Sequence, residues 1–295
     1  MTHYRVRHHN VYRYDAPVSV NYGEARLLPR DTPGQRVLNA SLRILPEPDD
    51  RRPRHDAHGN PVVWFSLGQP HTLLEIESEA RIERLHAPAD PAGEPSPPWE
   101  SAVAALDTPA DADSRLATEY RLPSHYVPIE SAAVDYARAS FSPGRPVLDA
   151  LADLAARVRA DFAYRPAATD IGTPLAEVLR ERHGVCQDFA HLCLSGLRGL
   201  GLAARYVSGW LETTPPPGAE PMHGADASHA WIAVHVPSLG WVDYDPTNGS
   251  AAGPGHLTLA WGRDFADVTP LKGVIYGGGR HVLEVGVTVT RVEPD

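Results

Sequence analysis

Cys186 stands in the segment Arg182-His-Gly-Val-Cys-Gln-Asp-Phe-Ala190, where Gly184 breaks one predicted helix and the cysteine opens the next. A helix start presents unpaired N–H groups and about half a positive charge. That setting favours thiolate over thiol, and the same N–H groups can hold the oxyanion of a tetrahedral intermediate. The residue types therefore point to nucleophilic attack on a carbonyl. Cys193 lies mid-helix between Leu192 and Leu194 and reads as packing. At 1.5 Å rise per residue the two thiols are roughly 10 Å apart along the helix, too far for a disulfide. Two free thiols fit a reducing compartment.

A thiol nucleophile needs a base, and the base needs an orienting group. Of fifteen histidines, His229 is selected by context. It begins a predicted strand, Ser228-His-Ala-Trp-Ile-Ala-Val-His-Val-Pro237, directly after a Pro/Gly-rich loop over 213–228, where side chains can border a cleft. Alternation puts Ala230, Ile232, Val234 and Val236 on a buried face and His229, Trp231 and His235 on the other. His235 is the competitor on that face. The next run, Gly240-Trp-Val-Asp-Tyr-Asp-Pro-Thr-Asn248, supplies Asp243 and Asp245. A tight turn at 237–240 predicts a hairpin, which sets the start of one strand beside the end of the other. Asp245, where Pro246 ends the ladder, is thereby placed near His229; a carboxylate that merely caps the turn is the alternative.

The elements that must position these groups fall into two sets. Residues 1–86 read as an all-β domain, with strand-like runs at 3–14, 35–45, 62–67 and 72–85. Residues 87–98 have the composition of a Pro-rich linker. Residues 99–295 begin with helical periodicity: apolar spacings of three and four predict helices over 146–162, 174–182 and 186–200. Strand-like runs follow at 203–211, 229–236, 240–245 and 281–292. Helices followed by antiparallel strands imply an α+β core.

The composition bounds the function further. A net charge of −10 argues against a nucleic-acid binder. The start of the chain shows no apolar signal segment, and no run approaches the ~18 apolar residues of a membrane span. The expectation is a cytoplasmic protein without membrane partners. His183, His191, His223, His229 and His235 match no compact zinc spacing, and neither do the cysteines, so no metal and no cofactor are expected.

Four motifs, Gly184-Val-Cys186-Gln-Asp-Phe-Ala, Ala204-Arg-Tyr-Val-Ser-Gly209, Ser228-His229-Ala-Trp231 and Gly240-Trp241-Val-Asp-Tyr-Asp245-Pro-Thr-Asn248, together resemble the transglutaminase-like core. Arg26-Leu-Leu-Pro-Arg30 and His58-Gly-Asn60 are similar to the β-rich region that precedes this core in bacterial members. Gly262-Arg-Asp-Phe-Ala-Asp267 resembles a segment that follows it there. The resemblance implies a papain-like fold with Cys186 as nucleophile, His229 as base and Asp245 as orienting acid. It implies acyl-thioenzyme chemistry on a peptide or protein amide, ending in hydrolysis or in transfer to an amine. Gln187 and Trp231 are candidate substrate contacts, although a side chain one position along the helix from Cys186 points elsewhere. The alternative is a non-catalytic peptide-binding scaffold of the same fold.

Overall fold

The computed structural model describes residues 1–85, 95–166, 168–212, 228–237 and 239–293. Its β-rich part is organised along one 24-residue strand, β1 (Thr2–Ala25), with β2 (Gln35–Leu45), β3 (Asp50–His55), β4 (Pro61–Leu67) and β5 (His71–Arg84). On one side of β1 lie β5 and then β4, with β2 outside β5 and β3 outside β4. The sequence reading ends the first strand at Tyr14. The chain in fact stays extended through Pro17, and the partner strands break register there, because proline offers no N–H to a ladder. The strand at 50–55 went unread for a related reason: Arg51-Arg52-Pro53-Arg54 is an exposed, charged edge with a proline in it.

The helical part comprises α1 (Trp99–Asp107), α2 (Ala112–Ala117), α3 (Ser131–Arg138) and α4 (Val147–Asp161), the short strand β6 (Ala163–Tyr164), α5 (Leu175–Glu181), the short strand β7 (His183–Gly184) and α6 (Cys186–Gly199). The linker read at 87–98 lies largely outside the described residues. Of its end, Pro97 O accepts Val147 N–H and Ser96 Oγ accepts Leu148 N–H, at 2.9 and 3.1 Å, tying it to the start of α4. Then come β8 (Ala204–Leu211), β9 (Ser228–Val236), β10 (Gly240–Asp245), β11 (Ser250–Ala251) and β12 (His256–Gly262), an antiparallel sheet in the order β11-β10-β9-β8-β12. After α7 (Phe265–Val268), the strands β13 (Leu271–Gly277) and β14 (His281–Val292) run back along the free side of β1. The last strands are thus built into the same sheet as the first.

Helix α6 is buried almost along its length, with Phe189, Leu192, Cys193 and Leu197 in one core with Ala230, Ile232, Val234 and Tyr244 of the sheet. Gly196 lets α3 approach: a Cβ there would lie 2.6 Å from Ala137 Cβ and 2.7 Å from Ala133 O. The opposite sheet face is also buried. Val207, Trp231 and Ala233 form a separate apolar cluster there, backed by Trp241 and Trp261. The cluster draws on β8, β10 and β12, and Arg30 of the β-rich part stacks over Trp261, none of which periodicity within β9 could reveal.

Candidate active site

The site begins with the turn that delivers Cys186. Arg182 ends α5 in the left-handed conformation (φ 53°), and β7 pairs in parallel with β6, fixing the segment that enters α6. Val185 is the extended residue before the helix. Asp188 Oδ2 accepts the Val185 N–H at 2.8 Å and the Thr169 hydroxyl at 2.6 Å. Burial pushes the Asp188 carboxyl up, and these hydrogen bonds oppose that. A Cβ at Gly184 would stand 2.7 Å from Asp188 Oδ2, so the glycine is required by this cap. Cys186 is then the first residue of α6, half-buried, while Cys193 is buried and its thiol is pushed up to about 12 by burial. Gln187, the next residue of that turn, is half-buried.

The hairpin of β9 and β10 pairs Trp241 with His235 and Tyr244 with Ile232, so the end of β10 lies beside the start of β9. His229 Nε2 donates to Asp245 Oδ2 at 2.7 Å. Cys186 is the other group that acts on the charge of this imidazole, and with Nε2 engaged by the carboxylate, Nδ1 is the nitrogen left for it. Burial opposes a charge on His229. The hydrogen bonds and charges of Asp245 and Cys186 outweigh it and push the imidazole up to about 10. Asp245 is fully buried, yet its histidine partners hold it well below the usual carboxylate range against the effect of burial. Its remaining donors come from the turn that follows: Thr247 N–H and Asn248 N–H to Oδ1 at 2.9 and 3.2 Å, and Asn248 Nδ2 to Oδ2 at 2.6 Å.

The competitors lie elsewhere. Asp243 pairs in register with Ala233; burial pushes its carboxyl up, and the Arg205 guanidinium is the leading charge opposing that. His235 is buried edge-on against Trp241, with ring centroids 5.4 Å apart. Trp231 is buried at 0% exposure, and its ring lies beside His229 and His256 at centroid distances of 6.1 and 5.2 Å. It can do so because Gly209, opposite His229 on β8, has no side chain; a Cβ there would meet the indole at 2.4 Å. The Pro/Gly-rich loop before β9 lies outside the described residues except for Ser228.

One site residue is absent from the sequence reading. His256 Nε2 lies 2.9 Å from the same Oδ2 of Asp245. A signal existed: like His229, it opens a strand directly after a Gly/Pro turn. His229, Asp245 and His256 offer three atoms close enough together to suggest a cation. Around a tetrahedral zinc, however, ligand atoms about 2.0–2.1 Å from the metal are spaced about 3.3 Å from each other. The 2.7 and 2.9 Å separations here are those of hydrogen bonds.

Residues 134–246 match the family described as the transglutaminase-like superfamily, and residues 4–83 match the bacterial transglutaminase-like N-terminal region. The chain belongs to the transglutaminase-like superfamily. An uncharacterized protein of Mycobacterium tuberculosis is 41% identical over 299 residues, covering 99% of this chain and 94% of its own. One from Mycobacterium leprae is 33% identical, with 98% of each chain covered. A crystal structure from Cytophaga hutchinsonii, described as a candidate cysteine protease, superposes with a TM-score of 0.77 at 19% identity, covering all of this chain and 92% of the other; it shares the fold.

Strand β12 falls outside both matched regions of this transglutaminase-like chain and is one place where the β-rich region is joined to the core sheet. It is the edge of the core sheet, and two side-chain amides close its free backbone. Gln35 exchanges hydrogen bonds with Thr258 N and O at 2.9 and 2.7 Å; Asn60 does so with Trp261 N and O at 2.9 and 2.8 Å. Arg30 stacks 3.2 Å over Trp261 and donates to Asn60 Oδ1, while His58 bridges Tyr120 and Asp267. The stretches 26–30, 58–60 and 262–267, singled out in the sequence, therefore converge on one seam.

Proposed function

We propose that this protein is a cysteine-dependent amide-bond enzyme, a peptidase, amidase or acyltransferase, working through an acyl-thioenzyme on Cys186. The observation that carries the reading is the 2.7 Å contact of the buried Asp245 carboxylate with His229, an imidazole whose charge Asp245 and the half-buried Cys186 at a helix start together favour. In this reading the Cys186 sulfur attacks the carbonyl of a peptide or protein amide. The new C–S bond displaces the C=O electron pair onto oxygen, where N–H groups of the first turn of α6 can receive it. The tetrahedral species collapses, the C–N bond breaks, and the leaving amine takes its proton from His229. Water or a second amine then attacks the thioester and gives a proton back to His229 as the thiolate leaves. Asp245 keeps its charge throughout and orients the ring.

Among the described residues no helix is long and apolar enough to cross a membrane. A cytoplasmic setting is supported by the two unpaired thiols. The reading is tested by screening a peptide library for both hydrolysis and amine incorporation with wild type and Cys186→Ala. Activity lost in Cys186→Ala supports it. A wild type inert in both assays and towards thiol probes returns the chain to a binding scaffold.

A further inference from the structure

We propose that His256 is a positioning residue for this site, a fourth side chain that locks the Asp245 carboxylate in the orientation His229 requires. The inference rests on the enzyme reading above and adds a role for a strand that lies beyond the matched core.

Gly253 N–H donates to His256 Nδ1 at 3.1 Å. A backbone N–H can only donate, so the Nδ1 lone pair is committed and the ring proton sits on Nε2. Nε2 therefore donates to Asp245 Oδ2 at 2.9 Å. The ring cannot turn over without losing both contacts, and it is 7% exposed. It packs edge-to-face on Trp231 at 5.2 Å. Its strand is held two residues on by the Gln35–Thr258 pair. The β-rich region is thus connected to the site through the backbone of β12.

The consequence falls on Asp245. Three donors converge on Oδ2 (His229, His256 and Asn248) and two backbone N–H groups on Oδ1. Every partner is a donor, so a proton on the carboxylate would have nowhere to point. Asp245 is confined to the anionic, orienting role. Asn248 and the backbone bonds sit within three residues of Asp245 and move with its turn. Besides His229 itself, His256 is, among the described residues, the restraint that comes from another strand, and it ties the carboxylate to the far edge of the sheet.

The test compares His256→Phe, which keeps the ring and its contact with Trp231 but loses the N–H, with His256→Gln, which restores a donor. Turnover of p-nitrophenyl acetate and the pH profile of iodoacetamide alkylation at Cys186 are measured on the full chain. Loss of positioning by a fraction of an ångström to 1 Å costs about 10–100-fold. His256→Phe should lose that much in kcat with KM nearly unchanged and should displace the alkylation profile, and His256→Gln should recover most of both. Nitrogen NMR of wild type should find the His256 proton on Nε2, whether or not the variants fold. A selective, active wild type with a folded His256→Phe variant within twofold of it, or a His256 proton on Nδ1, overturns the positioning role alone. A wild type without selective Cys186 alkylation overturns the enzyme reading and this inference with it.

Discussion

His229 Nε2 and Asp245 Oδ2 meet at 2.7 Å across the β9–β10 hairpin, although sixteen positions separate them in the chain. The pairing register explains the contact. Tyr244 lies opposite Ile232, so the following residue of β10 comes alongside the beginning of β9. Asp243, two residues earlier on the same face, is carried to Ala233 and towards Arg205. The two carboxylates of one strand therefore have different surroundings.

That division predicts a split between activity and stability. Asp245→Asn should cut turnover of p-nitrophenyl acetate by on the order of 10³–10⁴, the size seen when the orienting acid of a catalytic triad is neutralised. Asp243→Ala should change kcat less than tenfold but lower stability by about 3 kcal/mol, because it leaves the buried Arg205 guanidinium without its acid. Steady-state kinetics beside denaturant unfolding of both variants checks this; a larger kinetic loss for Asp243→Ala would reverse the assignment.

The raised His229 imidazole gives a pH signature in stability. Folded, it titrates near 10; unfolded, near 6.5. Between those values the folded state holds a proton that the unfolded state has released, so stability falls as pH rises. The stabilisation is fully present below about 6.5 and is lost through about 10. Wild type should therefore lose melting temperature relative to His229→Gln over this window. Parallel curves for the two proteins would show that His229 is not held as a cation.

Much of this geometry was legible before the structure. Cys186 at a helix start, His229 after a loop and Asp245 before Pro246 follow from local punctuation and one short hairpin, all near-neighbour information. What was not legible depends on distant segments. Alternation assigns Trp231 to a face without showing what covers it; Val207, Trp241 and Trp261 of other strands pack there, and Arg30 stacks on Trp261 from the other end of the sequence. His256 needed the return of β12 to the far side of β8, and β14 beside β1 needed the whole chain.

The two cysteines should differ sharply in reactivity. With Cys193 buried and pushed up to about 12 by burial, one equivalent of iodoacetamide at neutral pH should label Cys186, and peptide mapping should find Cys193 modified only after unfolding. Equal labelling of the folded protein would remove the basis for an activated thiol.

The seam at β12 makes the β-rich region matter to the site at a distance. Gln35→Leu removes both partners of the Thr258 backbone and leaves buried groups unpaired, which should cost about 1–3 kcal/mol. It should also lower kcat while leaving KM within about twofold, since His256 loses its brace rather than the substrate its contacts. Unfolding and kinetics measured together check it; a stability loss with unchanged kcat would confine the seam to folding.

The acyl-thioenzyme itself is the most direct test. Wild type mixed with p-nitrophenyl acetate, quenched in acid within the first turnover, should gain one acetyl group by intact mass. Peptide mapping should place it on Cys186, labile to hydroxylamine, and Cys186→Ala should gain none there. Background acylation is easy to separate, because Lys272 is the sole lysine of the chain. An acetyl group confined to Lys272 or the chain terminus, with none on Cys186, would contradict the account.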